Sequence, residues 1–174
     1  MFFQIAMAES ISQSIDFQAT FYGGSCEIKA PPQLPYNQGN AIPDDTIPGD
    51  ARFRQSSIQL IGCQGYFLKP RIQVTGNTIT TSDGTKLYAD ASSTSKGYGV
   101  RLSIEGNNSF NPNSNTAENN IISVKSWPTN GGNPASLNGW LTFKGYLSCG
   151  ACTPGPDLQN GELIATVTFN FLYD

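Results

Sequence analysis

Residues 161–173, GELIATVTFNFLY, set Gly161, Leu163, Ala165, Val167, Phe169, Phe171 and Tyr173 at every second position, with Glu162, Thr166, Thr168 and Asn170 between them. Successive side chains of an extended strand point to opposite faces, so this spacing predicts a strand with one face made for a core. A helix would scatter the same residues around its circumference. With no further residue after Asp174 to lie beside it, such a strand is expected to present an exposed edge over an apolar face, a combination that invites pairing. It either pairs on both sides within its own sheet or borrows a strand from another chain.

Shorter runs of the same kind precede it. IDFQATFY (15–22) puts Ile15, Phe17, Ala19 and Phe21 on one face, and GGSC then breaks the pattern. SSIQLIGC (56–63), FLKPRIQVTG (67–76), YGVRLSIEG (98–106), IISVKSW (121–127) and GWLTFKGYLSC (139–149) read as further strands. Leu68, Ile72 and Val74 share a face of the second of these, where Pro70 predicts an edge position or a bulge. Residues 30–52 hold five prolines and read as a long extended connection outside the core, with at most a short edge strand. Residues 107–120 read as a polar loop. No 3.6-residue pattern exceeds two turns and no internal repeat occurs, so the fold class is all-β. Eight or so short strands between turn signals suggest an immunoglobulin-like β-sandwich, with a jelly roll or small barrel as alternatives.

A chain of 174 residues fits one domain. Charged residues make up 13% and the net charge is −3, which leaves neither a nucleic-acid footprint nor a basic membrane-binding face. No apolar run reaches the roughly 18 residues that would indicate a membrane span. The chain has no His, which excludes Ser-His-Asp and Cys-His nucleophile systems and His-based zinc hydrolase motifs. Phosphate-cradling glycine motifs are also missing. Asp44 and Asp45 are adjacent in the Pro-rich connection and so point apart, toward solvent rather than toward a shared substrate. No catalytic residue, metal ligand set or cofactor is read, and an enzyme is not expected.

Four cysteines suit an oxidising compartment and allow three pairings. Cys26 with Cys63, each beside a strand-like run, and Cys149 with Cys152 inside SCGACTPG is the favoured one. The Cys149–Cys152 spacing would also serve a redox pair or half a zinc site. Against these stand the lack of His and the prolines at 154 and 156, where an oxidoreductase would open a helix. At the other end, Ala6-Met7-Ala8 has the small-x-small form of a signal-peptidase site, with Glu9 the first mature residue and residues 1–8 a leader remnant or added residues. The alternative is a first strand through Phe3, Ile5 and Met7.

Taken together, these residues resemble the pilin subunits of the chaperone-usher pathway on Gram-negative surfaces. Tyr173 is penultimate and Gly161 is fourteenth counting back from Asp174, as in the C-terminal signature of that family, with matching alternation between them. Cys26 and Cys63 resemble the disulfide joining the first two pilin strands, and KGYGVRLSIEGN (96–107) resembles a central pilin strand. The resemblance covers nearly the whole chain from about residue 9.

It implies an incomplete immunoglobulin-like sandwich over residues 15–174, completed by a donor strand laid in a groove beside the C-terminal strand Gly161–Tyr173. A periplasmic chaperone would fill the groove first, anchoring the carboxylate of Asp174, and a neighbouring subunit would replace it at the outer-membrane usher. Residues 9–19 would be this chain's own donor segment, with Ile11, Ile15, Phe17 and Ala19 entering a neighbour's pockets. Ala19 departs from the Gly that family donor segments carry there. The implied location is a fimbrium on the cell surface, reached through the periplasm. Alternatives are the C-terminal pilin domain of a two-domain tip adhesin, or a secreted carbohydrate-binding β-sandwich using Trp127, Trp140 or Tyr66.

Overall fold

The computed structural model describes residues 18–19, 24–65 and 68–174. Its strands are β1 (Gly24–Lys29), β2 (Phe53–Gly65), β3 (Pro70–Gly76), β4 (Thr78–Thr80), β5 (Lys86–Tyr88), β6 (Gly99–Ile104), β7 (Ile121–Ser123), β8 (Gly139–Ser148) and β9 (Val167–Tyr173). All pairings are antiparallel, in a six-stranded sheet ordered β1-β2-β8-β6-β5-β4 and a three-stranded sheet ordered β7-β3-β9. The expected all-β class holds. Helical structure among the described residues is confined to short 3-10 turns.

Period-two alternation positions the core. On β2 and β8, Ile58 lies opposite Leu141 and Ser56 opposite Phe143; on β6, Ile104 lies opposite Phe143 from the other side. Ile72 and Val74 of β3 and Ile122 of β7 meet these from the second sheet, and Phe110 and Tyr88 complete one apolar cluster. Ile58, Ile72, Phe110 and Leu141 are fully buried. Each contributes roughly 1.5–3 kcal/mol of transfer free energy.

The polar loop at 107–120 is ordered by its own asparagines. Asn113 Nδ2 donates to the carbonyls of Asn119 and Ile121, and Asn115 Nδ2 donates to the Lys86 carbonyl at 2.9 Å. The buried Tyr88 hydroxyl donates to the Thr116 carbonyl at 2.8 Å. These bonds supply the buried main chain with partners that no strand provides.

Several boundaries depart from the sequence reading. β3 is central in its sheet, between β7 and β9, rather than an edge or a bulge. Pro70 is its first residue, where a missing amide is tolerated. Leu68 lies outside that strand and is exposed. GGSC does not end strand structure: Gly24–Lys29 forms β1, and the strand expected over 15–22 lies outside the described residues except for Gln18 and Ala19, which are exposed and not in a strand. The Pro-rich connection forms 3-10 turns and no strand, and it is not wholly outside the core. Ile47 is buried with Tyr98, Leu147 and Cys149 in a second apolar cluster. The C-terminal strand is shorter than its alternation, since only Val167–Tyr173 pairs as β9.

Candidate functional site

Among the described residues β1 ends the six-stranded sheet and β9 ends the three-stranded one, and the two strands lie against each other. Their inward residues, Cys26 and Ile28 on β1 and Val167, Phe169, Phe171 and Tyr173 on β9, are only half-buried. The inward residues of β3 and β8 are buried. The side chains are equally apolar in both cases, so the difference lies in cover. Phe169 packs on Phe143 with ring centroids 6.0 Å apart and remains half-buried.

Among the described residues the unpaired edge continues beyond β9. Residues 162–166 are held on one side by the segment 90–95: Asp90 N donates to the Ile164 carbonyl at 2.7 Å, Thr94 N to the Glu162 carbonyl at 2.9 Å, and Thr166 Oγ1 to Asp90 Oδ2 at 2.6 Å. Ile164 N in turn donates to Ser93 Oγ at 3.0 Å. All these bonds use even-numbered residues. Leu163 and Ala165 make no backbone hydrogen bond among the described residues, so their amides and carbonyls extend the open edge of β9. The side-chain alternation persists as well, with Leu163 and Ala165 half-buried and Glu162, Ile164, Thr166 and Thr168 exposed. Gly161 is exposed but closely packed. A Cβ there would lie 2.6 Å from Ser95 N, so the segment can run against residues 94–95 only without a side chain.

The groove is closed at one end by Tyr173. Its hydroxyl donates to the Gln64 carbonyl at 2.7 Å, and its ring covers Gly24, where a Cβ would lie 2.7 Å from Tyr173 Cε2. Burial holds the Tyr173 phenol above its ordinary pKa. Beside it, Asp174 N donates to the Lys69 carbonyl at 3.0 Å and the Asp174 side chain ion-pairs with Arg71 Nε at 2.9 Å, in an orientation that is not a hydrogen bond. At the other end the groove widens into a cleft of about 650 Å³ lined by Tyr36, Ile47, Val100, Leu147, Leu163 and Ala165. Tyr36 donates to the Gly145 carbonyl at 2.8 Å, and burial raises its pKa far above the usual phenol value.

Cys26 is disulfide-bonded to Cys63, which ties β1 to β2, and Cys149 is bonded to Cys152 in the turn after β8. The pairing favoured from the sequence is the one present, and it suits an oxidising compartment. Gly150, inside the second bridge, lies so close to Asp83 and Thr81 that a Cβ there would clash with the Asp83 carboxylate. Hydrogen bonds from Thr81 and from the Thr85 amide hold the Asp83 carboxyl below its usual pKa.

The other sequence candidates are dispersed. Asp44 and Asp45 are exposed on a 3-10 turn, and Asp44 Oδ2 accepts from Asn160. Trp127 packs against the core, Trp140 is 61% exposed, and Tyr66 lies outside the described residues, as do Ile11, Ile15 and Phe17. Among the described residues no helix is long and apolar enough to cross a membrane. β1 itself was missed, although Cys26 and Ile28 alternate with Glu27 and Lys29 just as a half-covered strand requires. Compared with protein-family models and with curated proteins, the sequence matches none.

Proposed function

We propose that this chain is a structural subunit of a Gram-negative surface fimbria, an incomplete immunoglobulin-like sandwich polymerised by strand donation. The observation that carries the reading is the pair of adjacent edges, β1 and β9, unpaired on their outer sides among the described residues, whose inward residues are half-covered while those of β3 and β8 are buried. An extended segment laid between them satisfies the open main-chain groups of residues 163–173 and covers Ile28, Val167, Phe169 and Phe171 with alternate side chains. Its partners are a periplasmic chaperone, an outer-membrane usher and neighbouring subunits, and residues 9–19 are the segment it donates. Gln18 and Ala19, at the end of that segment, are exposed.

The test is assembly. Exported together with a cognate chaperone and usher, the chain should yield a ladder of heat-labile polymers on unboiled gels. Deletion of residues 9–19 should reduce that ladder to a chaperone-bound single subunit. A ladder that survives the deletion, or a chain that binds no chaperone, contradicts the reading.

A further inference from the structure

The outer face of the six-stranded sheet carries side chains that neither the core nor the groove uses. Between β2 and β8 the outward opposed pairs are Gln59 with Trp140, Ser57 with Thr142, Gln55 with Lys144, and Phe53 with Tyr146; across β8, Arg101 of β6 lies opposite Tyr146. We infer that this face binds a neutral glycan, with the Trp140 indole as the platform on which a pyranose ring stacks.

Three observations point there. First, Trp140 is 61% exposed although it sits within a paired strand rather than on a loop. Its backbone is fixed by β2 on one side and by Asn107 on the other, whose Nδ2 donates to the Trp140 carbonyl at 3.0 Å. The ring is therefore presented from a rigid base, and an aromatic face of this size suits the C–H face of a sugar. Second, the polar groups beside it are of the kind that reads hydroxyls. Gln59 and Gln55 make no side-chain hydrogen bond among the described residues, and Ser57 and Thr142 share one bond of 3.2 Å that leaves further donor and acceptor capacity.

Third, the charges on this face cancel in pairs. Lys29 meets Glu27 at 3.6 Å, Lys144 meets Glu105 and Arg101 meets Asp50. The Arg101 guanidinium also covers the Tyr146 ring at 4.4 Å and Lys144 lies 5.6 Å from the Phe53 ring, so the far end of the face is occupied by its own cations. Among the described residues of this face the paired charges leave no excess to attract an anionic polymer, and the polar ladder lacks the central apolar cluster on which a protein partner's affinity depends. A neutral, polyhydroxylated ligand is the occupant that this chemistry fits.

Trp127 and Trp140 are the chain's two tryptophans, which makes the site directly readable. The full chain and its Trp127→Phe and Trp140→Ala variants would be titrated with a panel of neutral hexose and N-acetylhexosamine oligosaccharides. Sialylated oligosaccharides and a basic and an acidic peptide serve as comparators. Expected are a saturable fluorescence change retained in Trp127→Phe, an affinity at least tenfold weaker in Trp140→Ala measured calorimetrically, and no dependence on salt. Circular dichroism and an unchanged melting temperature would establish that Trp140→Ala folds. No saturable neutral ligand, binding unchanged in Trp140→Ala, or binding only to a charged or peptide probe would each overturn the inference. The site faces away from the groove, so sugar binding and strand uptake fail independently.

Discussion

The Tyr173 hydroxyl donates a 2.7 Å hydrogen bond to the Gln64 carbonyl, fastening the end of β9 to β2 across the start of β1. It joins β9 to β2 beside the start of β1. Tyr173→Phe removes one half-exposed hydrogen bond and should lower stability by about 0.5–1 kcal/mol in denaturant unfolding. Tyr173→Ala also uncovers Gly24 and the Phe171 ring that Tyr173 meets edge-on at 5.2 Å, and should cost clearly more. Equal effects would mean that the ring does not close the groove.

Gly161 is required by space rather than by backbone angle. Gly161→Ala sets a Cβ against the backbone of Thr94 and Ser95 and should destabilise by about 1–3 kcal/mol. Gly155→Ala, which meets nothing within 4 Å, should be nearly neutral. Paired thermal melts of the two variants decide this.

The two disulfides should differ in weight. Cys26 and Cys63 are 37 residues apart, and replacing both with Ser should cost about 3–4 kcal/mol on the loop-entropy model. Cys149 and Cys152, three apart, close a loop so short that the same change should cost about 1–2 kcal/mol. Its main readout should be local, as faster hydrogen exchange in the turn at 81–85.

Burial raises the phenol pKa of Tyr36, Tyr88, Tyr98 and Tyr173. The fold thus favours the neutral phenols, while the unfolded chain ionises them near pH 10. Their contribution is fully present below about pH 10 and is lost as the pH rises through the folded-state values. Denaturant midpoints should therefore be level from pH 8 to about 9.5 and fall above pH 10, with a shallower fall in Tyr36→Phe.

Strand class and the shared face of Ile72 and Val74 were legible because a strand's period of two is written directly in the side chains; the cysteine pairing was legible from the strand-like runs beside Cys26 and Cys63. What was not legible depended on partners distant in sequence. β4 and β5 are three residues each, too short for a period to show. Ile47 is buried because the connection 34–47 folds over Tyr98 and Leu147, which local composition does not reveal. The alternation at 161–173 runs on past β9, yet residues 162–166 bond to residues 90–95 through backbone amides and serine, threonine and aspartate side chains rather than to a strand. The half-burial of Cys26 and Ile28 could be seen only once β1 had been placed at an edge.

The central claim is that the groove between β1 and β9 takes up a strand from outside its own domain. The most direct measurement is hydrogen exchange of the full chain, with its melting temperature, during titration with a peptide of residues 11–22 and with a scrambled peptide of the same composition. The account predicts saturable protection confined to the amides of β1 and of residues 163–173, with about 2.7 kcal/mol of added stability at one hundred times the dissociation constant and none from the scrambled peptide. Unchanged exchange at both edges, with an unchanged melting temperature, would contradict it.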